Sequence, residues 1–185
     1  MIDEILKKTR ANMQKSLDFT KQQITKVRTG RASTTMLDSV KVDYYGASTP
    51  LSQVANLSAP DPRSIVVQPY DRSILSEIEK AIQMADLGFN PMNDGNIIRI
   101  PVPPLTEDRR KEFVKLCKKF AEEGKISIRN IRRDMIETVR KAEKDKKISE
   151  DDKLYGEDEI QKITDDFIKN IDEISSAKEK ELMED

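Results

Sequence analysis

At both ends of this chain apolar residues return every three or four positions, and between them the repeat shortens to two. Leu6, Arg10, Met13, Leu17, Thr20, Ile24 and Val27 alternate spacings of four and three, so residues 1–28 are expected to form one helix with a coiled-coil-like seam and two polar interruptions. Thr29-Gly30 stops it, because glycine accepts the left-handed conformation that commonly ends a helix. A second helix is expected from Thr106, whose hydroxyl can cap free amides while Glu107 and Asp108 favour the positive end of the dipole. Its stripe of Phe113, Cys117, Phe120, Ile128, Ile131, Met135, Val139 and Ala142 carries it to about Lys147, with Gly124 as a weak point. Ser149 with Asp152 resembles a capping box, and Ile160, Ile163, Phe167, Ile171 and Ile174 give a third helix its apolar face. Tyr155-Gly156 is expected to delay or kink its start.

The middle of the chain reads differently. Residues 40–44 alternate apolar side chains with Lys41 and Asp43, the pattern of a half-buried strand, and Gly46 and Pro50 mark a turn. Further strands are expected at residues 54–58, 64–68 and 96–100, separated by Pro60, Pro62, Pro69 and Gly95. Ile74, Ile78, Ile82 and Ala85 make one face of a short covering helix. The fold class that follows is α+β: an elongated antiparallel three-helix bundle built from residues 1–30 and 105–185, interrupted once by a small α/β domain of residues 31–104. The insert enters and leaves through adjacent chain segments, which places an expected hinge at Gly30-Arg31 and at residues 103–105. Equal charged and hydrophobic fractions of 36%, with 5% aromatics and no tryptophan, suit thin packing of amphipathic helices better than one round core.

Several kinds of chemistry are excluded by the residues themselves. With no histidine, Ser-His-Asp, Cys-His and zinc-histidine schemes are unavailable, and no glycine-rich phosphate loop occurs. Carboxylates are plentiful, yet nothing marks two of them as converging. No catalytic residue, metal site or cofactor is therefore expected. A lone Cys117 forms no internal disulfide, no apolar run approaches membrane-spanning length, and the Met1-Ile2-Asp3-Glu4 start lacks a signal-peptide pattern. A cytoplasmic protein without a membrane partner is expected.

Charge is segregated along the chain. Residues 1–30 carry +4, residues 31–104 carry −2, residues 105–149 carry +6 and residues 150–185 carry −9, for a net charge of −1. On the second helix, at 100° per residue, Arg129, Arg133 and Arg140 fall within an arc of roughly 40°, with Arg132 nearer the apolar boundary. Several guanidinium forks on one helix could bridge phosphate oxygens in register. A solvated basic face balanced by the acidic third helix is the alternative, and the residues alone leave the two open. Cys117 on the apolar stripe reads as buried packing, and Tyr44-Tyr45 as one ring in and one ring out on a strand.

Five ordered motifs then resemble those of ribosome recycling factors. They are Val27-Arg28-Thr29-Gly30-Arg31-Ala32-Ser33, Tyr44-Tyr45-Gly46-Ala47-Ser48-Thr49-Pro50-Leu51 and Leu87-Gly88-Phe89-Asn90-Pro91, followed by Pro103-Pro104-Leu105-Thr106-Glu107-Asp108-Arg109-Arg110 and Ile128-Arg129-Asn130-Ile131-Arg132-Arg133-Asp134. The resemblance extends over essentially the whole chain. Thr34 stands where the family commonly has proline, and Met135-Ile136 where Ala-Asn usually follow.

The resemblance implies an L-shaped, monomeric, non-enzymatic translation factor. It would enter the intersubunit space of the post-termination ribosome and promote subunit splitting with elongation factor G and GTP. Carried over by position, Arg129 and Arg132 would be the leading contacts with large-subunit ribosomal RNA, supported by Arg28, Arg110 and Arg133. Gly30, Arg31, Pro104 and Leu105 would form the hinge. A helical adaptor that binds another protein and needs no RNA is the competing reading, and a carboxylate-based hydrolase a third.

Overall fold

The structure, a computed structural model, describes residues 1–88 and 90–184. Phe89, within the third motif, lies outside the described residues. In chain order the helices are α1 (Ile2–Thr25), α2 (Leu51–Val54), α3 (Leu75–Met84), α4 (Glu107–Lys144) and α5 (Glu150–Glu184). The strands are β1 (Lys41–Tyr44), β2 (Ala47–Pro50), β3 (Ala55–Asp61), β4 (Ser64–Pro69), β5 (Met92–Asn93) and β6 (Ile98–Pro101). The chain packs as two compact units: Met1–Thr29 with Thr106–Glu184, and Gly30–Leu105.

In the first unit α1, α4 and α5 pack pairwise on one another. Ser16 meets Ser127 with hydroxyls 2.9 Å apart and Thr20 faces Gly124, so α1 runs antiparallel to α4; Ile2 faces Gly156 and the Thr25 carbonyl accepts from Lys178 Nζ at 3.3 Å, so α1 runs parallel to α5. The buried seam of α1 is Leu6, Thr9, Met13, Leu17, Thr20 and Ile24. Arg10, expected on this seam, is exposed, and Thr9 takes the inward place. A threonine can satisfy its hydroxyl on its own helix, here the Ile5 carbonyl at 2.8 Å, whereas a buried guanidinium would need charged partners. Thr20 is buried in the same manner, donating to the Ser16 carbonyl at 2.9 Å.

Helix ends follow their side chains. Thr106 Oγ1 accepts from Arg109 N–H at 3.2 Å. The cap of α5 is reciprocal: Asp152 N–H donates to Ser149 Oγ at 3.0 Å, and Ser149 N–H to Asp152 Oδ2 at 3.3 Å. Helix α4 stops at Lys144, short of the expected Lys147. Lys146 turns left-handed at φ +59°, its N–H reaching the Glu143 carbonyl and the Lys147 N–H that of Ala142, the paired bonds of a Schellman end. Tyr155-Gly156 does not interrupt α5, which runs unbroken from Glu150. Gly156 is buried there, and a Cβ on it would lie 3.1 Å from Ile2 Cδ1.

The second unit holds two antiparallel sheets, the hairpin β1-β2 and a four-stranded sheet in the order β3-β4-β6-β5. The expected turn at residues 46–50 is mostly strand β2. Tyr45 and Gly46 alone make the reversal, with φ of +50° and +85°, the double positive φ of a two-residue type I′ hairpin loop. Along β4 and β6, Ile65, Val67, Ile98 and Ile100 point inward and meet Ile78 and Ile82 of α3, with Val40, Val42, Leu51 and Val54 completing one core. The two-residue β5 lacks the length for a periodic signal, and nothing in the sequence marks it.

Candidate nucleic-acid interface

Helix α4 carries more basic side chains than any other element, and its geometry sorts the arginines. Arg129, Arg133 and Arg140 are exposed, whereas Arg132 and Arg110 are half-buried. Arg129 pairs with Glu122 of its own helix at 3.4 Å, and Arg140 Nε lies 2.6 Å from Glu157 Oε1 on α5. Exposed ion pairs of this kind contribute about 0–1 kcal/mol, so a phosphate can displace the carboxylates at small cost. No hydrogen bond or ion pair engages the Arg133 side chain among the described residues.

Arg132 lies where α4 meets α5. Its Nη1 donates to Gln161 Oε1 at 2.9 Å, and Gln161 Nε2 in turn donates to Asp165 Oδ1 at 2.8 Å. A neutral amide thus orients the guanidinium directly, and the Asp165 carboxylate acts on it through that amide. Lys125 is ion-paired with Asp172 along the same groove. The adjoining Met135 is buried and Ile136 half-buried, so the departure from the family's Ala-Asn puts larger apolar side chains into the packing beside the arginines.

The five predicted arginines therefore do not form one cluster. Arg129 and Arg133 share the outer face, and Arg132 lies at its edge toward α5. Arg110, 19 residues earlier, is roughly 28 Å away along the helix axis and turned about 100° inward. Arg28 follows the end of α1 and is half-buried. Gly30, Arg31, Pro104 and Leu105 belong to the second unit, with Gly30 buried and Arg31 and Pro104 exposed.

Lysines extend the face beyond what the arginines alone suggest. Lys111, Lys115, Lys118 and Lys144 are all exposed and fall within roughly 60° of Arg129 by the same helical rotation. Seven exposed cations therefore line one side of α4 over about 50 Å, interrupted by the acids Glu122 and Glu143 and by apolar residues such as Ile126 and Ile136. Their spacing is readable in the sequence, but a pattern defined by guanidinium forks leaves the ammonium groups out. Long runs of basic side chains on a rigid rod create the potential that attracts a polyanion.

Other candidates resolve as packing. Cys117 is fully buried and its thiol is pushed up by desolvation, which disfavours the reactive thiolate. Tyr44 is half-buried and Tyr45 exposed, their rings meeting edge to face at 4.6 Å. Among the described residues no group of three or more Cys, Asp or Glu is arranged to hold a metal ion. Among the described residues no helix is long and apolar enough to cross a membrane.

The family model for ribosome recycling factor matches residues 20–183. This chain belongs to the ribosome recycling factor family. It is 54% identical over 184 residues to the ribosome-recycling factor of Desulfatibacillum aliphaticivorans, the match covering 100% of both chains. Identity to the Bacillus licheniformis factor is 48%, again over 100% of both. Among solved structures it is similar to a ribosome recycling factor determined in solution, with TM-score 0.75, 40% identity, and coverage of 100% of this chain and 98% of that one. A second, with TM-score 0.63, 46% identity and 99% coverage of each chain, is the T. thermophilus ribosome recycling factor, described with E. coli elongation factor G as bound to the E. coli post-termination complex. The family's α+β architecture, long helices with a small sheet-containing unit, is the one found here.

Proposed function

We propose that this chain binds the post-termination ribosome through the basic side of α4 and, with elongation factor G and GTP, promotes separation of the subunits. The observation that carries the reading is the line of seven exposed cations on one helix, flanked by an Arg132 whose direct partner is a neutral amide. Arg129 and Arg132 contact large-subunit ribosomal RNA in the intersubunit space, with Arg28, Arg110 and Arg133 in support. The family resemblance puts the hinge at Gly30, Arg31, Pro104 and Leu105. The T. thermophilus relative is described with elongation factor G on such a complex, and the proposal carries that setting to this chain. In this role the protein works in the cytoplasm as a monomer without a cofactor. GTP hydrolysis belongs to elongation factor G, while the bundle contributes position and stiffness.

Ribosome co-sedimentation at increasing salt tests the anchoring. Affinity is expected to fall linearly on a log-log plot as counterions are released, and the slope to shrink by about one for each phosphate contact removed. Arg132→Ala is expected to weaken binding by about 1.5–3 kcal/mol, the range for a charged hydrogen bond, with the fold unchanged. A flat salt response, or unaltered affinity in Arg132→Ala, rejects the anchoring role. A splitting assay with elongation factor G and GTP tests the complete function, and no splitting by the purified chain refutes it.

A further inference from the structure

The β3-β4 turn touches both segments by which the chain enters and leaves the second unit. Asp61 shapes this turn, accepting from Arg63 N–H at 2.8 Å and from Ser64 Oγ at 2.7 Å. On the entering side, Ala32 N–H donates to the Pro62 carbonyl at 2.9 Å, and Arg63 Nη1 donates to the Gly30 carbonyl at 2.9 Å. On the leaving side, Val102 N–H donates to the Arg63 carbonyl at 2.8 Å. One residue thus holds both crossings, the first by its side chain and the second by its backbone. The crossings also meet directly: Gly30 sits at φ +79°, and a Cβ on it would lie 2.9 Å from Leu105 Cγ.

We propose that Arg63 is a positioning residue that fastens both crossings to the sheet, so that the hinge lies on the bundle side of this clamp. Rotation at Gly30-Arg31 would have to break the bonds to Gly30 and Ala32 and lift Leu105 off Gly30. The bend instead falls at residues 28–29, after Val27 N–H makes the last turn of α1 onto the Ile24 carbonyl, and at the Leu105-Thr106 junction, just before the Thr106 cap of α4. Pro103 and Pro104, with φ fixed by their rings, stiffen the approach to the second junction. Gly30 and Leu105 are then parts of the moving body rather than its pivots, which relocates the hinge from where the family resemblance puts it. The location of the hinge stands independently of the proposed function; its use in splitting ribosomes rests on that function.

Amide hydrogen exchange on the full chain, compared among the unmodified protein, Arg63→Ala and Arg63→Lys, tests this. Arg63→Ala is expected to speed exchange at Ala32, beside the released Gly30 carbonyl, by about three- to tenfold, the worth of one hydrogen bond in a local opening, and to change Val102 less, since its N–H donates to a main-chain carbonyl that alanine keeps. Ile65, Val67 and Ile98 in the sheet keep their rates, and Arg63→Lys, which retains a cationic donor, recovers part of the protection. Unchanged exchange at Ala32 overturns the clamp, and so does an equal acceleration across the whole sheet, which would mark a merely structural residue. In the splitting assay Arg63→Ala is expected to act several-fold more slowly with ribosome affinity intact. Normal splitting by a variant whose clamp is demonstrably loosened overturns the functional use alone. Failure of the unmodified chain to split ribosomes would refute the proposed function and leave the exchange result in force.

Discussion

In the helical unit glycine sits inside helices where a neighbouring helix's side chain closes on the place of a Cβ, and in the inserted unit Gly46, Gly88 and Gly95 sit in turns that open to solvent. Gly124 and Gly156 are buried in α4 and α5 with neighbours waiting at the place of a Cβ, whereas Gly46 has φ +85° and nothing within 4 Å of that place. The same residue answers two different physical demands, space between helices and backbone handedness. The two units differ equally in their cores. Burial in the bundle is strung out along three helices, while the insert concentrates fifteen buried residues in one cluster. A single lesion should therefore act locally in the bundle and globally in the insert.

Ile98→Ala offers the largest contrast. Ile98 is fully buried on β6, and truncation there is expected to cost about 2–5 kcal/mol through lost burial and the cavity left behind. Much of a small unit's stability would go with it. Thermal unfolding followed by tyrosine fluorescence should shift sharply downward, because three of the four tyrosines, Tyr44, Tyr45 and Tyr70, lie in the insert and Tyr155 alone in the bundle, while the helical circular dichroism signal melts near its original temperature. A concerted loss of both signals would show that the units do not unfold separately, and the contrast would fail.

The glycines sharpen the comparison. By helix propensity alone Gly124→Ala would stabilise α4 by about 1 kcal/mol. Its Cβ would, however, press on the Thr20 side chain, with Cγ2 at 2.9 Å, and overpacking of this kind costs about 1–3 kcal/mol. Net destabilisation is expected, partly relieved by adding Thr20→Ala. Gly46→Ala meets no neighbour and should cost only the left-handed backbone penalty, about 1–2 kcal/mol, with no partner substitution able to relieve it. Stability measurements on the two single variants and the Thr20 double variant decide. A stabilising Gly124→Ala would contradict the packing account.

These positions also mark how far the residues can be read before the fold is seen. Periodicity finds all three long helices because each repeats its signal over many turns, and capping chemistry finds Thr106 and Ser149 because those bonds are local. Gly124 reads as a weak point and Gly156 as a kink, since a glycine's letter does not say what stands opposite it. Arg10 and Thr9 trade places because both lie near the edge of the seam, and only tertiary packing chooses between neighbours there. Strand β2 is hidden by Ser48, Thr49 and Pro50, whose pairing to β1 follows from the Tyr45-Gly46 reversal. At the basic face, angular position is legible, whereas the carboxylates of Glu122 and Glu157 beside Arg129 and Arg140 depend on rotamers and a second helix.

A smaller effect is expected at the start of α4. Thr106→Ala removes the oxygen that accepts from Arg109 N–H and should cost about 1 kcal/mol, the ordinary worth of an N-cap. Amide exchange should quicken in the first turn of α4 and stay unchanged at Ile128 and beyond, since fraying is confined to the end. Restoration by Thr106→Ser or Thr106→Asp would identify the cap as the cause, and no restoration would point to lost packing.

The subtlest distinction between the units is their response to pH. In the insert, Asp61 is held below its ordinary value of 3.8, first by the Ser64 hydroxyl and then by the Arg63 amide; Asp71 is lowered chiefly by Ser73, and Asp94 by the Ile97 and Asn96 amides. A carboxylate with a depressed folded value stabilises the fold above 3.8, and that contribution is lost as pH falls through the folded value. In the bundle the direction reverses. Lys162 is raised above 10.5 by Asp158 and Glu159, so its contribution is present below 10.5 and lost as pH rises through the folded value. Acidification below about pH 4 should therefore weaken the insert, with Asp61→Asn flattening part of that dependence, while alkali should weaken the Lys162 contribution to the bundle. Asp61, Asp94 and Lys162 lie at the surface and Asp71 is half-buried, so the effects are small, and tyrosine fluorescence against helical dichroism across the acid range is the measurement that resolves the carboxylate part. An acid response in Asp61→Asn identical to that of the unmodified chain would remove the β3-β4 turn from the account, and with it the idea that a titratable side chain helps set the turn that presents Arg63.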